Sequence, residues 1–196
     1  MKLHKSLLER ILKSDLKNKE LNVLLYLLQV QDDLGTVLNV HWKEICENVG
    51  MVAQSFYNSI NSLESKGFIT VSKECPLSGE HNGWGLHTIQ ILIPDAPPRP
   101  QVEKISQEEL VNYFNACGPY LNLKEYSLIN TDIFRKQSAG VKKIILYFLW
   151  RHQSNLAISK KGMKPHDIIL TPMVTAEMLG FEWGSSRTLA GILLHH

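Results

Sequence analysis

The chain lacks any apolar run approaching the ~18 residues that a membrane span needs, which excludes a transmembrane helix of ordinary kind. Its opening stretch, MKLHKSLLERILKSD, is amphipathic and has neither an uninterrupted apolar core nor a small-residue cleavage site. It is therefore not read as a secretory signal. Cysteine is scarce. Cys46, Cys75 and Cys117 are odd in number and widely spaced, which argues for reduced thiols in a cytoplasmic protein and against a disulfide framework. Enzyme signatures are missing too: no phosphate-cradling glycine loop, no His-Glu-x-x-His and no Gly-x-Ser-x-Gly, so no catalytic residue and no cofactor is assigned. Cys75, His81 and His87 are spaced too widely for a structural zinc site and have no fourth ligand, so no metal is expected. A net charge of +2 is too weak to mark a nucleic-acid partner by itself.

With 196 residues, 44% apolar and 20% charged, the chain can bury a sizeable core without staples. Four prolines in PDAPPRPQ (94–101) make a stiff, extended segment, because proline fixes its own φ and pushes the preceding residue out of helix. This divides the chain into a first domain over 1–93, a linker over 94–104 and a second, helical domain over 105–196. In the first half, Leu7, Leu8, Ile11 and Leu12 have helical spacing, as do Leu21, Leu24, Leu25 and Leu28. Thr36 to Val40 is β-prone. His41 to Val49 is helical, with Trp42, Ile45, Cys46 and Val49 on one face. Gly50-Met51 is a tight turn. Val52 to Lys66 is helical, with Val52, Phe56, Ile60 and Leu63 inward, and Gly67 supplies a left-handed stop. Phe68 to Lys73 and Leu86 to Ile93 read as strands around a glycine-containing loop.

In the second half, Ser106 and Glu109 have capping-box spacing at the head of a helix ending near Cys117. Val141 to Asn155 is a strongly apolar helix, followed by a basic loop over Ser159 to His166. Thr171-Pro172 opens a short helix closed by Leu179-Gly180, and Ser185 to Leu194 is helical again. Aligning Gly50 with Gly180 pairs Val49 with Leu179 and Leu63 with Leu193, although Phe56 meets Ser186. The halves thus read as a diverged repeat whose second unit either lacks a strand pair or is cut short. From Ile133 to Lys164 there are eight basic residues and no acid, a candidate phosphate-facing surface that includes Lys142 and Lys143.

Trp42-Lys43-Glu44-Ile45-Cys46, the turn Val49-Gly50-Met51, and Ser55 through Leu63 followed by Glu64-Ser65-Lys66-Gly67-Phe68-Ile69 resemble the winged helix-turn-helix family over residues 19–93. The resemblance implies a mainly α fold with a small β-wing (α+β), followed here by a second helix-turn-helix-like domain. It also implies sequence-specific binding of double-stranded DNA, most simply by a transcriptional regulator. The tandem arrangement resembles plasmid replication initiators, so initiation or plasmid maintenance is an alternative. A winged-helix protein-interaction module that does not touch DNA is a third, because this fold serves both purposes.

On the proposed recognition helix, a turn of 100° per residue puts Gln54, Tyr57, Asn58, Asn61 and Ser65 outward. Gln54, Asn58 and Asn61 suit adenine edges in the major groove. Ser55, Tyr57, Lys43 and Lys66 suit phosphates. The loop between the strands has no Lys or Arg, one acid (Glu80) and Trp84. His81 is its candidate phosphate donor. In the second unit, Ser185 and Arg187 occupy the corresponding helix start. The surplus of apolar positions in the N-terminal helices predicts a homodimer on a two-fold site.

Overall fold

The structure, a computed structural model, describes residues 2–73, 87–100 and 105–162. It is mixed α+β and mostly helical, with small antiparallel sheets. A three-residue strand, β1 (Lys2–His4), leads directly into α1 (Lys5–Lys13), and α2 (Asn18–Val30) follows. In α1 the residues at helical spacing, Leu7, Leu8, Ile11 and Leu12, are all buried. In α2 burial runs almost all round, through Leu21, Val23, Leu24, Leu25, Leu27 and Leu28, as expected of a helix at the centre of its fold.

Strand β2 (Thr36–Val40) precedes the helix pair α3 (Trp42–Val49) and α4 (Ala53–Ser65). Strands β3 (Ile69–Lys73) and β4 (His87–Ile91) complete an antiparallel sheet of order β2-β4-β3. Pairing of Ile69 with Ile91 and of Val71 with Ile89 turns the isoleucines to one face, and Ile69, Ile89 and Ile91 are buried. The β2–β4 register shifts between Val37 and Val40, a bulge that bends the edge strand as it enters α3.

Both glycine signals have structural counterparts. Gly50 closes α3 in the left-handed region (φ 71°), and the amides of Gly50 and Met51 both donate to the Cys46 carbonyl. Gly67 (φ 69°) follows α4, with the Phe68 amide donating to the Leu63 carbonyl at 2.9 Å. One expectation is corrected at the other end of α4. Val52 is the residue before the helix, in extended backbone, and is 69% exposed, so the inward face is Phe56, Ser59, Ile60 and Leu63.

Beyond the proline-bearing segment, α5 (Gln107–Ala116) starts from the expected capping box: the Glu109 amide donates to Ser106 Oγ, and the Ser106 amide donates to Glu109 Oε2. Strand β5 (Tyr120–Asn122) pairs with β1, placing Leu3 opposite Leu121, both fully buried. Two 3-10 turns and the short α6 (Asp132–Lys136) lead to α7 (Ala139–Lys160), which runs past the expected end at Asn155. The main hydrophobic core takes in residues from Leu3 to Ile91 and from Leu121 to Tyr147, so the two halves share an interior, and a smaller cluster joins Leu34 to Tyr113 and Cys117. The leucines of α1 and α2 that suggested a dimer are buried within one chain. No helix among the described residues is long and apolar enough to cross a membrane.

The expected basic surface of the second half is corrected most. Lys142 is fully buried and Lys143 is 5% exposed. The Lys142 ammonium donates to Asn18 Oδ1, to Asn22 Oδ1 at 2.6 Å and to the Arg135 carbonyl at 2.7 Å. That of Lys143 donates to the carbonyls of Leu12 and Ser14, where the end of α1 presents unpaired oxygens and the negative end of its dipole. Neither lysine is available to a phosphate, and reversing their charges would attack the core.

Candidate nucleic-acid interface

The turn at Gly50 sets α4 across α3, and both α3 and α4 pack against α2. With Phe56, Ser59, Ile60 and Leu63 directed inward, helical geometry leaves Gln54, Asn58 and Asn61 exposed on the opposite side. Gln54 Nε2 donates to Asn58 Oδ1 at 3.0 Å, one turn along the helix. The pair therefore keeps the Gln54 carbonyl oxygen as acceptor and the Asn58 amide protons as donors. That is the complement of adenine, which offers N6–H and N7 in the major groove. No acid or base interrupts this stretch until Glu64.

The structure places the expected phosphate-holding residues unevenly. Lys43 is exposed, with its ammonium 5.7 Å from the Trp42 ring centroid. Ser55 is half-buried, and its hydroxyl accepts from Lys19 Nζ at 2.9 Å. Tyr57 is corrected: one residue beyond Phe56, it lies on the flank of the helix, half-buried against the core, with its ring edge-on to Phe56 at 5.3 Å. Burial pushes its phenol above the ordinary range. Lys66 is corrected as well. Its ammonium sits 3.0 Å from Glu20 Oε2 and 3.1 Å from Asp15 Oδ1, at the far end of α4 from Gln54. Burial opposes its charge, but the two carboxylates prevail and raise its pKa. Burial likewise opposes ionisation of Glu20, and the Lys17 amide and Lys66 outweigh it, holding Glu20 below the usual carboxylate range. With two acids on it, Lys66 is a brace between α2 and α4. His81, Trp84, Cys75, Ser185 and Arg187, with the expected second helix-turn-helix segment over 171–194, lie outside the described residues.

Lys19, which the sequence reading did not single out, and Arg135 and Lys136 of the expected basic segment stand beside the helix start. Lys19 is on the first turn of α2, and Arg135 and Lys136 are on α6. They line a cleft of about 390 Å³ together with Asn18, Asn22 and the Gly50-Met51 turn. Two acids, Glu47 and Asp132, share it. The signal in the sequence was the basic pair Lys17 and Lys19 flanking Asn18, just ahead of the apolar pattern of α2.

No known protein family, curated protein or solved structure matches the chain.

Proposed function

We propose that this protein is a sequence-specific, double-stranded DNA-binding protein of winged helix-turn-helix type, acting most simply as a transcriptional regulator. The observation that carries this reading is the exposed, uncharged amide row Gln54–Asn58–Asn61 on a helix held across its neighbour by the left-handed turn at Gly50. An amide aligned on adenine is worth roughly 1–3 kcal/mol of discrimination, enough to read bases with no charged residue on the reading face. Affinity then has to come from phosphate contacts at the margins, with Lys19, bonded to Ser55, and Lys43 on the neighbouring α3 as exposed cations.

A second reading is a protein-interaction module on the same scaffold. It is favoured by the loss of Lys142, Lys143 and Lys66 from the free positive surface. The replication-initiator alternative rests on the tandem unit outside the described residues, and nothing in the described fold favours it.

Selecting bound duplexes from random sequence, then measuring Asn58→Ala on a selected and an unrelated duplex, tests the first reading. The variant is expected to lose affinity for the selected site while its weak binding to the unrelated duplex is unchanged. An equal loss on both would remove the base-reading role. Absence of any salt-sensitive duplex binding would favour the interaction module.

A further inference from the structure

We propose that the cleft between the start of α2, the α3–α4 turn and α6 seats a backbone phosphate of the DNA that α4 reads, with Lys19 and Lys136 as its charged contacts. The inference rests on the DNA-binding reading and adds to it a contact from α6, an element outside the helix-turn-helix unit.

Three stretches remote in sequence, 18–22, 47–51 and 132–136, converge on this one cleft. Its charges are unequal once pairs are removed. Arg135 Nη2 holds Asp132 Oδ1 at 2.7 Å, which cancels those two. Lys19 and Lys136 then face Glu47 alone. Lys136 is exposed and has no hydrogen bond or ion pair among the described residues. Behind the wall lies Lys142. Its partners Asn18 and Asn22 line the cleft, and all three of its acceptors are neutral oxygens, so no carboxylate cancels its charge. An uncancelled charge in a low-dielectric interior projects its potential into the adjoining cleft more strongly than one in water. Burial pulls the pKa of Lys142 down to about 8, which still leaves the ammonium mostly protonated at neutral pH. Asn18 is the first residue of a thirteen-residue helix, whose positive end adds to the same field.

Position ties this site to the reading face. The Lys19 ammonium is bonded to Ser55, the residue between Gln54 and the rest of the α4 face. An anion at Lys19 therefore sits at the margin of the surface that would enter the groove, where the flanking backbone runs.

The test uses the full chain with Lys19→Gln, Lys136→Gln and Asn58→Ala, each titrated with selected and unrelated duplexes from about 50 to about 200 mM salt. Each lysine variant is expected to weaken both duplexes alike and to reduce the salt slope by about 0.9. The wild-type advantage should then shrink about three- to four-fold across that range. Asn58→Ala should leave the slope intact and lose discrimination. Unchanged slopes in both lysine variants, with Asn58→Ala still selective in its loss, would overturn the phosphate seat and leave base reading standing. A wild-type chain that binds no duplex would remove both. Titration of inorganic phosphate, followed through the side-chain amide NMR signals of Asn18 and Asn22, separates the sources. Saturation by free phosphate together with unchanged duplex slopes would mean a small-anion site and overturn the proposal.

Discussion

Lys142 is the residue on which chemistry and packing collide. Its charge has left water for three neutral oxygens, an arrangement that satisfies its protons but gives no ionic compensation. Shortening it to alanine removes the methylenes and strands the acceptors, so Lys142→Ala should cost about 3 kcal/mol. Lys142→Met keeps the volume and removes the desolvation penalty, and should stay within about 1 kcal/mol of wild type. Urea midpoints at constant slope compare the two. The pH dependence has a definite sign. Between about 8 and 10.5 the unfolded chain keeps a proton that the folded chain has shed. Stability from this group therefore rises with pH across that window. Wild type should gain about 1 kcal/mol on Lys142→Met between pH 7 and pH 9. Tyrosines and cysteines raised by burial oppose the trend but occur in both proteins and cancel in the difference. A difference that is flat or of opposite sign would contradict the buried, uncompensated ammonium. The burial itself was partly legible. Lys142 and Lys143 stand four residues before Leu146 and Tyr147, on the inward stripe of α7. Counting charges along the chain concealed what helical angles would have shown.

Among elements, α4 shows how sequence punctuation becomes structure. Gly67 is left-handed, and a Cβ there would come within 3.0 Å of Arg10 Nη2. That guanidinium donates to the Lys66 carbonyl at 2.7 Å and lies 4.8 Å from the Phe68 ring centroid, fastening α1 to the end of α4. Gly67→Ala thus combines a left-handed strain of about 1–2 kcal/mol with displacement of this clamp. It should lower the denaturation midpoint accordingly, whereas Gly50→Ala, with open space around its Cβ, should show the strain alone. Equal losses in the two variants would mean that the Arg10 contact contributes nothing. The helix pair, both glycine stops and the three-stranded sheet were legible because each is signalled within a few residues. The start of α4 was misjudged by one residue, since Val52 is apolar yet lies before the helix. Strands β1 and β5 left no local signal: three residues each, they exist because Leu3 meets Leu121 across the fold. The short α6 was likewise hidden, and with it the placement of Arg135 and Lys136, already counted in the basic segment, beside Lys19.

For the whole molecule, one interior spans both halves. A fragment of residues 1–100 would lack Leu121, Leu123, Ile129, Phe134, Ile144 and Leu146. Their burial amounts to on the order of 10 kcal/mol, comparable with the entire stability of a domain. The fragment is therefore expected to show no cooperative thermal transition and poor dispersion of its NMR amide signals. A sharp melt would show that the first half is self-sufficient. The apolar stripe on α1 and α2 could not by itself say whether a second copy or a later part of the same chain would cover it. Here α7 packs on α1, while α2 is covered mainly by α3 and α4.

The pairing of residues 2–4 with residues 120–122 carries a consequence for biosynthesis. Strand β1 has no partner until more than a hundred further residues have followed it from the ribosome, and the helix that packs on α1 emerges later still. The fold that holds α4 is thus completed late in translation, and a polypeptide stalled before α7 would leave the leucines of α1 open to chaperones.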